Sequence, residues 1–223
     1  MSAKSPLRCV VLGGGGHARV LIDCLLASKE AVPVAIVDAD RSLWGTTILG
    51  VKIVGGDEKL TELLYQGVSG FAVGLGGTKD NGPRRTLFEL AMTRGFQPVS
   101  VRHPSSICSP SAEIGAGSVL YPRSVVNACA KLGMNVIVNT GAIVEHDCVI
   151  GDHAHISTGA VLSGTVVVGE MVHVGAGSVI KQGLTIGEAA VVGAGSTVVS
   201  DVVPRTTVIG ERAGVYVPEE VTG

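Results

Sequence analysis

An aliphatic residue recurs at every sixth position through the second half of the chain. A small residue follows four positions after most of them, as at Ser118 and Ala154, and glycine often follows directly. A fixed period of this kind predicts a solenoid. Six residues is not a helical period; it fits a short strand plus a turn, with each aliphatic side chain pointing to a common axis. The fifteen positions are Ile114, Leu120, Val126, Leu132, Val138, Val144, Ile150, Ile156, Leu162, Val168, Val174, Ile180, Ile186, Val192 and Val198.

The first hundred residues have a different pattern, in which strand and helix signals alternate. Apolar β runs are followed by segments with helical spacing, as from Val20 to Cys24. This alternation predicts a mainly parallel sheet with flanking helices. We therefore predict a small Rossmann-like α/β domain over residues 1–105 and a β-solenoid with a C-terminal tail over residues 106–223. The predicted strands are 8–13, 32–38, 48–56 and 70–76. One predicted helix follows the glycines at 13–16, and two others cover 57–67 and 83–95.

Composition and charge exclude several classes of protein. The net charge of −2 provides no basic surface for nucleic acid, and no apolar run is long enough to span a membrane. The N-terminus lacks the pattern of a signal peptide. The five cysteines form no Cys-x-x-Cys pair and are odd in number, which favours reduced thiols in a cytoplasmic protein. We expect Cys148, at a small inward position of the repeat, to belong to the core.

Glu145, His146 and Asp147 are the first candidate for chemistry. Histidine is the side chain best suited to accept a proton near pH 7, and an adjacent carboxylate can orient its ring. Adjacent residues on a regular strand point to opposite faces, so the pairing requires a turn or a corner of the solenoid. The alternative interpretation is a solvated, charged corner without a catalytic role.

A glycine-rich turn, GGGGHA at residues 13–18, is the second candidate. A turn of this kind between a strand and a helix presents free N–H groups and the positive end of the helix dipole to a phosphate. The spacing also satisfies the dinucleotide fingerprint, with Asp38 at the end of the next strand. A plain tight turn is the alternative, and His17 either touches a phosphate or caps the turn.

These motifs resemble those of the sugar O/N-acyltransferases, which are hexapeptide-repeat enzymes with a left-handed parallel β-helix. The group includes bacterial sialic-acid O-acetyltransferases and N-acetyltransferases of nucleotide-linked 4-amino sugars. The resemblance covers nearly the whole chain, and it implies the left hand of the solenoid, with three hexads in each coil. Its motifs are VVLGGGGHARVLID at 10–23, IVDAD at 36–40, GVKIVGGDE at 50–58 and NTGAIVEHDCVIGDHAHIS at 139–157.

The resemblance implies transfer from acetyl-CoA, without a metal, to the 4-amino group of a GDP- or UDP-linked 4-amino-4,6-dideoxy sugar in glycan or lipopolysaccharide O-antigen biosynthesis. It makes His146 the general base, Asp147 the residue that orients it, and Gly164 the backbone donor to the thioester oxygen. The residues expected to bind the nucleotide sugar are Gly14, Gly15, Gly16, His17, Asp38, Asp40, Gly56 and Glu145. Those expected to bind acetyl-CoA are His155, Gly159, Gly164, Gly175 and Gly177.

Other functions stay open at this point. O-acetylation of sialic acid or a related sugar would use the same residues on a hydroxyl, and a non-catalytic scaffold would bind the nucleotide sugar without reaction. The chain also resembles the GDP-perosamine N-acetyltransferases, but no motif decides between guanine and uracil, since Asp38 or Asp40 suits either base. A more distant alternative is a zinc site, because a carbonic anhydrase class places three histidines on this solenoid. The histidines concerned are His155 and His173, one coil apart, with His146 or His153.

The C-terminal segment departs from the family pattern. Many relatives carry Gly-x-Pro-Ala-Lys after the last coil, where it helps to hold CoA, whereas this chain has GERAG at 210–214. Arg205 or Arg212 would then have to replace the missing lysine as a phosphate partner. The resemblance further implies a homotrimer with active sites between subunits. His103, before a proline, is expected to be structural.

Overall fold

A computed structural model describes residues 6–77 and 79–210. Its N-terminal unit, residues 6–98, contains a six-stranded sheet of order β3-β4-β2-β1-β5-β6, which is parallel except for the β3–β4 hairpin. In chain order its elements are β1 (Arg8–Leu12), α1 (Gly16–Ser28), β2 (Val32–Val37), β3 (Thr47–Ile48), β4 (Val51–Gly55), α2 (Leu60–Tyr65), β5 (Gly70–Val73), α3 (Gly82–Thr93) and β6 (Gln97–Pro98), with 3₁₀ turns at Arg41–Leu43 and Asp57–Lys59.

Helices cover both faces of this sheet. Successive side chains of a strand point to opposite faces, and in β1 Cys9 and Val11 join one apolar cluster while Val10 and Leu12 join another. The first cluster contains the buried apolar side chains of α1, and the second contains those of α2 and α3. The predicted Rossmann-like arrangement is confirmed. The helix predicted at 57–67 is shorter than expected, because its first residues form the 3₁₀ turn.

The second part of the chain is a triangular solenoid, which confirms the predicted β-helix. Strand partners lie 18 residues apart, as with Val119 and Ile137, except in the last pair, where Val191 and Thr207 are 16 apart; all the pairs between coils are parallel. The first face contains β7 (Val101–Arg102), β10 (Val119–Leu120), β13 (Ile137–Val138), β16 (His155–Ile156), β19 (His173–Val174), β22 (Val191–Val192) and β24 (Thr207–Val208). The second contains β8 (Ile107–Cys108), β11 (Val125–Val126), β14 (Ile143–Val144), β17 (Val161–Leu162), β20 (Val179–Ile180) and β23 (Thr197–Val198). The third contains β9 (Glu113–Ile114), β12 (Lys131–Leu132), β15 (Val149–Ile150), β18 (Val167–Val168) and β21 (Thr185–Ile186).

At each corner between two faces, one residue has a left-handed backbone conformation. Positive φ recurs at every sixth position from Gly117 to Gly195, whether or not the residue is glycine. The first corner, between the first and second faces, contains Gly159 and Gly177; the second corner, between the second and third faces, contains Asp147; the third corner, between the third and first faces, contains Met171. The period of six therefore sets both the inward aliphatic residue and the turn that follows it.

The inward aliphatic residues and the small residues between them form one continuous core along the solenoid axis. Cys148 is fully buried in it, as expected from its position in the repeat. The solenoid ladder begins at Val101, which pairs with Val119, slightly before the boundary at residue 105 that the sequence suggested; that boundary stays a prediction. Within the described residues, no helix has the length and apolarity needed to cross a membrane.

Candidate active site

The second corner carries a histidine–carboxylate pair. Asp147 has a φ of 57°, and this left-handed turn allows adjacent side chains to meet. Asp147 Oδ2 lies 2.8 Å from His146 Nδ1, and the two side chains are 52% and 56% exposed. The corner that the pairing requires is therefore present. With Nδ1 held by the carboxylate, Nε2 of His146 is the nitrogen left for a substrate.

Gly164 lies one coil away from His146 at the same corner. A Cβ built on Gly164 would come 2.5 Å from both Cε1 and Nε2 of the His146 ring, so the site requires glycine. The Gly164 carbonyl accepts hydrogen bonds from Gly183 N–H at 3.1 Å and from the Thr165 hydroxyl at 2.6 Å. The Gly164 N–H has no acceptor among the described residues. The His146 ring therefore lies against a residue whose backbone N–H is free among the described residues, and a donor of this kind can stabilise an oxyanion.

Glu145, the residue before the His146–Asp147 pair, is held by a side chain of the preceding coil. Its Oε2 accepts a hydrogen bond of 2.8 Å from Asn127 Nδ2. The carboxylate therefore contributes negative charge near the second corner from a fixed position.

A cavity of about 540 Å³ lies on the first face, beneath the loop that joins β5 to α3. His155 and His173 form part of its wall, with Gly77 and Lys79 of the loop on the other side. His155 Nδ1 accepts a hydrogen bond of 3.3 Å from Gly77 N–H. Burial, with help from the charge of Arg84, lowers the pKa of His155 to about 2. His155 is therefore a neutral acceptor that ties the loop to the solenoid.

The glycines predicted for acetyl-CoA lie in three places. Gly175 lines the cavity of the first face, next to His155 and His173. Gly159 and Gly177 lie on the first corner, which borders that face, and both have open space where a side chain would be. Gly164 lies on the second corner. The structure therefore brings Gly175 together with His155, and Gly159 and Gly177 close to that face, but leaves Gly164 on another edge.

The glycine-rich turn joins β1 to α1 as predicted. Gly13 has a φ of 96°, and a Cβ on Gly14 would come 2.8 Å from Ile53 Cδ1. Gly15 precedes α1 without a side-chain cap, and both Gly15 and Gly16 have open space beside them. Since the first N–H groups of a helix lack intrahelical partners, this end of α1 can receive an anion.

The predicted acidic residues of this unit already bind backbone groups. Asp38 accepts hydrogen bonds from Gly14 N–H at 2.6 Å and from Asp40 N–H at 2.7 Å. Asp40 accepts from the N–H and hydroxyl of Ser42, which lowers its pKa. Gly56 N–H donates to Glu58 Oε1 at 3.0 Å. Much of the hydrogen-bonding capacity of these residues is therefore used in shaping the turns around the site.

A second cavity, of about 470 Å³, lies beside the glycine-rich turn at the carboxyl ends of β1 and β2. Three carboxylates line it, from Asp38, Asp57 and Asp80, together with apolar side chains such as Leu75 and Leu87. Asp57 and Asp80 were not predicted from sequence, because they come from separate loops that meet only in the fold. The one available signal was the aspartate that follows the glycine pair at 55–56 in the GVKIVGGDE motif.

His17 lies at the joint between the N-terminal unit and the solenoid. Its Nε2 is 2.8 Å from Tyr121 Oη, and its ring centroid is 6.2 Å from that of His155. Burial lowers the pKa of His17 to about 4. A neutral imidazole in this position links the glycine-rich turn to the first face of the solenoid.

The structure keeps His146 and the glycine-rich turn apart within one chain. Among the described residues, hydrogen bonds from residues 6–98 to the solenoid end on the first face, as from His17 and Gly77, or on the third corner, as at Met171. The second corner, which carries His146, is the edge opposite the first face. One chain alone therefore does not bring its N-terminal unit to its own His146.

No group of three or more potential metal ligands occurs among the described residues. The rings of His155 and His173 do meet, edge-on with centroids 5.1 Å apart, but His146 lies on another edge and His153 pairs with Asn135. The predicted phosphate partner Arg205 forms an ion pair of 2.7 Å with Glu188. Arg212 and the rest of the C-terminal segment from 211 lie outside the described residues. His103 binds Ser105, in keeping with a structural role.

Comparison with known proteins agrees with this architecture. The PglD N-terminal domain family matches residues 8–90. The perosamine N-acetyltransferase of Caulobacter crescentus, solved with CoA and GDP-perosamine, is 40% identical; the match covers 91% of this chain and 93% of that one with a TM-score of 0.84. The acetyltransferase domain of PglB from Neisseria gonorrhoeae, solved with acetyl coenzyme A, is 33% identical; the match covers 92% of this chain and 97% of that one with a TM-score of 0.85. WeeI from Acinetobacter baumannii is 27% identical, and the match covers 91% of this chain and 96% of that one with a TM-score of 0.79. No curated protein sequence matches the chain.

A left-handed β-helix behind a Rossmann-like unit defines the class of hexapeptide-repeat acyltransferases. Within that class, the chain belongs to the family of sugar acetyltransferases that carry a PglD N-terminal domain. It is an acyltransferase, and its co-substrate is acetyl-CoA.

Proposed function

We propose that the protein transfers the acetyl group of acetyl-CoA to the 4-amino group of a nucleotide-linked 4-amino-4,6-dideoxy sugar. The observation that carries the proposal is the His146–Asp147 pair, packed against Gly164, whose N–H has no acceptor among the described residues. The relative from Caulobacter crescentus, solved with CoA and GDP-perosamine, supports the choice of substrate class.

His146 acts as the general base in direct transfer. The amine nitrogen attacks the thioester carbonyl, and His146 Nε2 accepts the proton of the amine as the C–N bond forms. Asp147 holds Nδ1 and stabilises the imidazolium, while the Gly164 N–H donates to the oxyanion. Collapse of the tetrahedral intermediate breaks the C–S bond and releases CoA, which takes the proton from His146. No covalent enzyme intermediate is required.

A second copy of the chain completes the site. Within one chain His146 lies on the edge opposite the face that carries the nucleotide-binding unit, so the sugar must come from a neighbour. The outward positions of the second face support such contact, because five of the six are aliphatic, and Ile107 and Val179 among them are exposed. Surfaces of this kind are typical of association. In a trimer such as the family forms, each of the three copies of His146 would receive the sugar from a neighbouring chain.

The nucleotide occupies the second cavity, with its diphosphate at the N-terminus of α1. Guanine presents N1–H and N2–H side by side, which suits the two oxygens of one carboxylate, whereas uracil places its single N–H between two carbonyl oxygens that a carboxylate repels. Three carboxylates and no basic side chain line this cavity among the described residues. The chemistry of the wall therefore favours a GDP-linked sugar, and Asp57, which makes no side-chain hydrogen bond among the described residues, is the free carboxylate.

Acetyl-CoA binds along the solenoid with its thioester near His146 and Gly164 of one copy. The cavity of the first face, with His155 and Gly175, then belongs to the neighbouring copy and faces the same cleft. The exposed glycines of the first corner, Gly159 and Gly177, allow a ligand to approach the backbone closely.

A substrate panel tests the proposal. Release of CoA is measured with GDP- and UDP-linked 4-amino sugars and with free sialic acid as acceptors. The proposal requires activity on a nucleotide-linked amino sugar, with GDP preferred over UDP. Activity on sialic acid alone would overturn it in favour of O-acetylation.

Mixing of two inactive variants tests the shared site. His146→Ala removes the base, and Gly15→Asp puts a negative charge at the end of α1, where the structure has open space for the side chain. Co-expression of the two variants restores activity if each site uses residues from two chains. A mixture as inactive as its parts would contradict the shared site.

A further inference from the structure

One face of α3 follows the third corner of the solenoid from coil to coil. Asn81, Arg84 and Phe88 are three and four positions apart, so they lie on the same side of the helix. Asn81 Nδ2 donates to the carbonyl oxygens of Met171 and Val172 at 3.0 and 3.1 Å. The three residues Asn81, Arg84 and Phe88 are called the α3 stripe below.

Arg84 occupies the centre of the α3 stripe and is 1% exposed. Its two terminal nitrogens donate to the carbonyl oxygens of Asn135, His153 and Ala154, the last at 3.2 Å. No carboxylate pairs with it among the described residues, although buried charges normally have a partner. A planar fork of donors suits several carbonyls at once, which a lysine cannot reproduce.

Phe88 completes the contact at the lower coils. Its ring meets that of His153 edge-on, with centroids 5.6 Å apart, and a Cβ on Gly117 would come 2.6 Å from it. From Asn81 to Phe88 the helix rises about 10 Å, and stacked coils are about 4.8 Å apart. The α3 stripe therefore meets successive coils. A shift by one coil towards the C-terminus would set Phe88 against Asn135, which carries a Cβ, in place of Gly117.

We propose that the α3 stripe is a positioning element that fixes the height of the nucleotide-binding unit along the solenoid, and with it the coil that the sugar amine faces. The inference rests on the proposed function. The loop before α3 separates the two cavities, since Leu75 and Asp80 line one, and Gly77 and Lys79 line the other. Anchoring α3 therefore fixes both ligand sites relative to each other.

Substitution of Arg84 tests the proposal, with its neighbour as the matched control. Arg84→Lys keeps the charge and loses the fork, while Arg85→Lys changes an exposed residue that pairs with Glu89. We expect kcat of Arg84→Lys to fall by about tenfold to a hundredfold, the scale of a 1 Å misplacement. The Kd for GDP should stay within about twofold, because the second cavity lies wholly within the N-terminal unit. Arg85→Lys should behave as wild type.

A folded Arg84→Lys enzyme with wild-type kcat would overturn the proposal, and so would a fall in kcat matched by an equal loss of GDP affinity. If Arg84→Lys does not fold, Asn81→Ala provides the same test, since it removes the Asn81 side-chain donors and leaves Arg84 in place. The rate of amide hydrogen exchange over residues 82–93 reports how firmly α3 is held against the solenoid, and it needs no enzymatic assay. It therefore separates failure of this inference from failure of the proposed function. Faster exchange in the variants than in Arg85→Lys is the expected result, and equal exchange would contradict the anchor.

Discussion

Substitution of Gly164 by alanine tests the geometry of the dyad at a single atom. The added Cβ would lie 2.5 Å from Cε1 and Nε2 of His146. Carbon atoms in contact are about 3.5 to 4.0 Å apart, so the ring must retreat by about 1 Å. A displacement of this size costs about a hundredfold in rate when the group acts in the reaction.

The same change should have little effect on folding. The His146 side chain is 52% exposed, so it can swing into solvent without loss of core packing. Exposed ion pairs contribute about 0–1 kcal/mol, so we expect an almost unchanged Tm. Alanine retains the backbone N–H, and the loss of rate would therefore come from the displaced imidazole.

Steady-state release of CoA from wild type, Gly164→Ala, His146→Ala and the double variant completes the test. In the His146→Ala background, Gly164→Ala should change kcat by less than about twofold, because the ring that it displaces is gone. An equal loss of rate in both backgrounds, or a fully active Gly164→Ala enzyme, would refute the reasoning.

Three further predictions use two other carboxylates, Asp147 and Asp57, and the half-buried His17. Asp147→Asn should lower kcat by at least about tenfold while both substrates still bind, since the base loses the group that orients it; the readout is kcat against KM. Asp57→Asn should weaken GDP binding more than UDP binding in calorimetry, whereas Asp40→Asn, at a capped turn, should change the two affinities equally. Because burial lowers the pKa of His17 to about 4, the unfolded chain binds this proton below a pH of about 6.5 and the folded chain only below about 4. Stability should therefore fall as the pH is lowered through that window, by up to about 3 kcal/mol, and thermal unfolding of His17→Asn should show a smaller fall; equal slopes would contradict the assignment.

Much of the fold could be predicted from the six-residue period in the sequence. It marks which side chain of each hexad points inward, and the left-handed corners fall at the same spacing. The pairing of His146 with Asp147 was accessible for the same reason, because it depends on one local turn.

The features that sequence did not reveal depend on contacts between distant segments. Arg84 and Asn81 bind backbone carbonyls more than fifty residues away, and a carbonyl has no signature in sequence. Asp57 joins the wall of the second cavity only once three loops have come together. The glycine-rich motif leaves His17 either at a phosphate or at the turn, whereas its contact with Tyr121 depends on how the two units pack.

The most direct measurement of the central claim is acetylation of a GDP-linked 4-amino sugar by wild type and by His146→Ala, with ligand binding followed in parallel. The account predicts one N-acetylated product per CoA released by wild type. It predicts a fall in kcat of at least about a hundredfold in the variant, the usual contribution of a general base, with CoA and GDP still bound. A His146→Ala enzyme that turns over within a few-fold of wild type would contradict it.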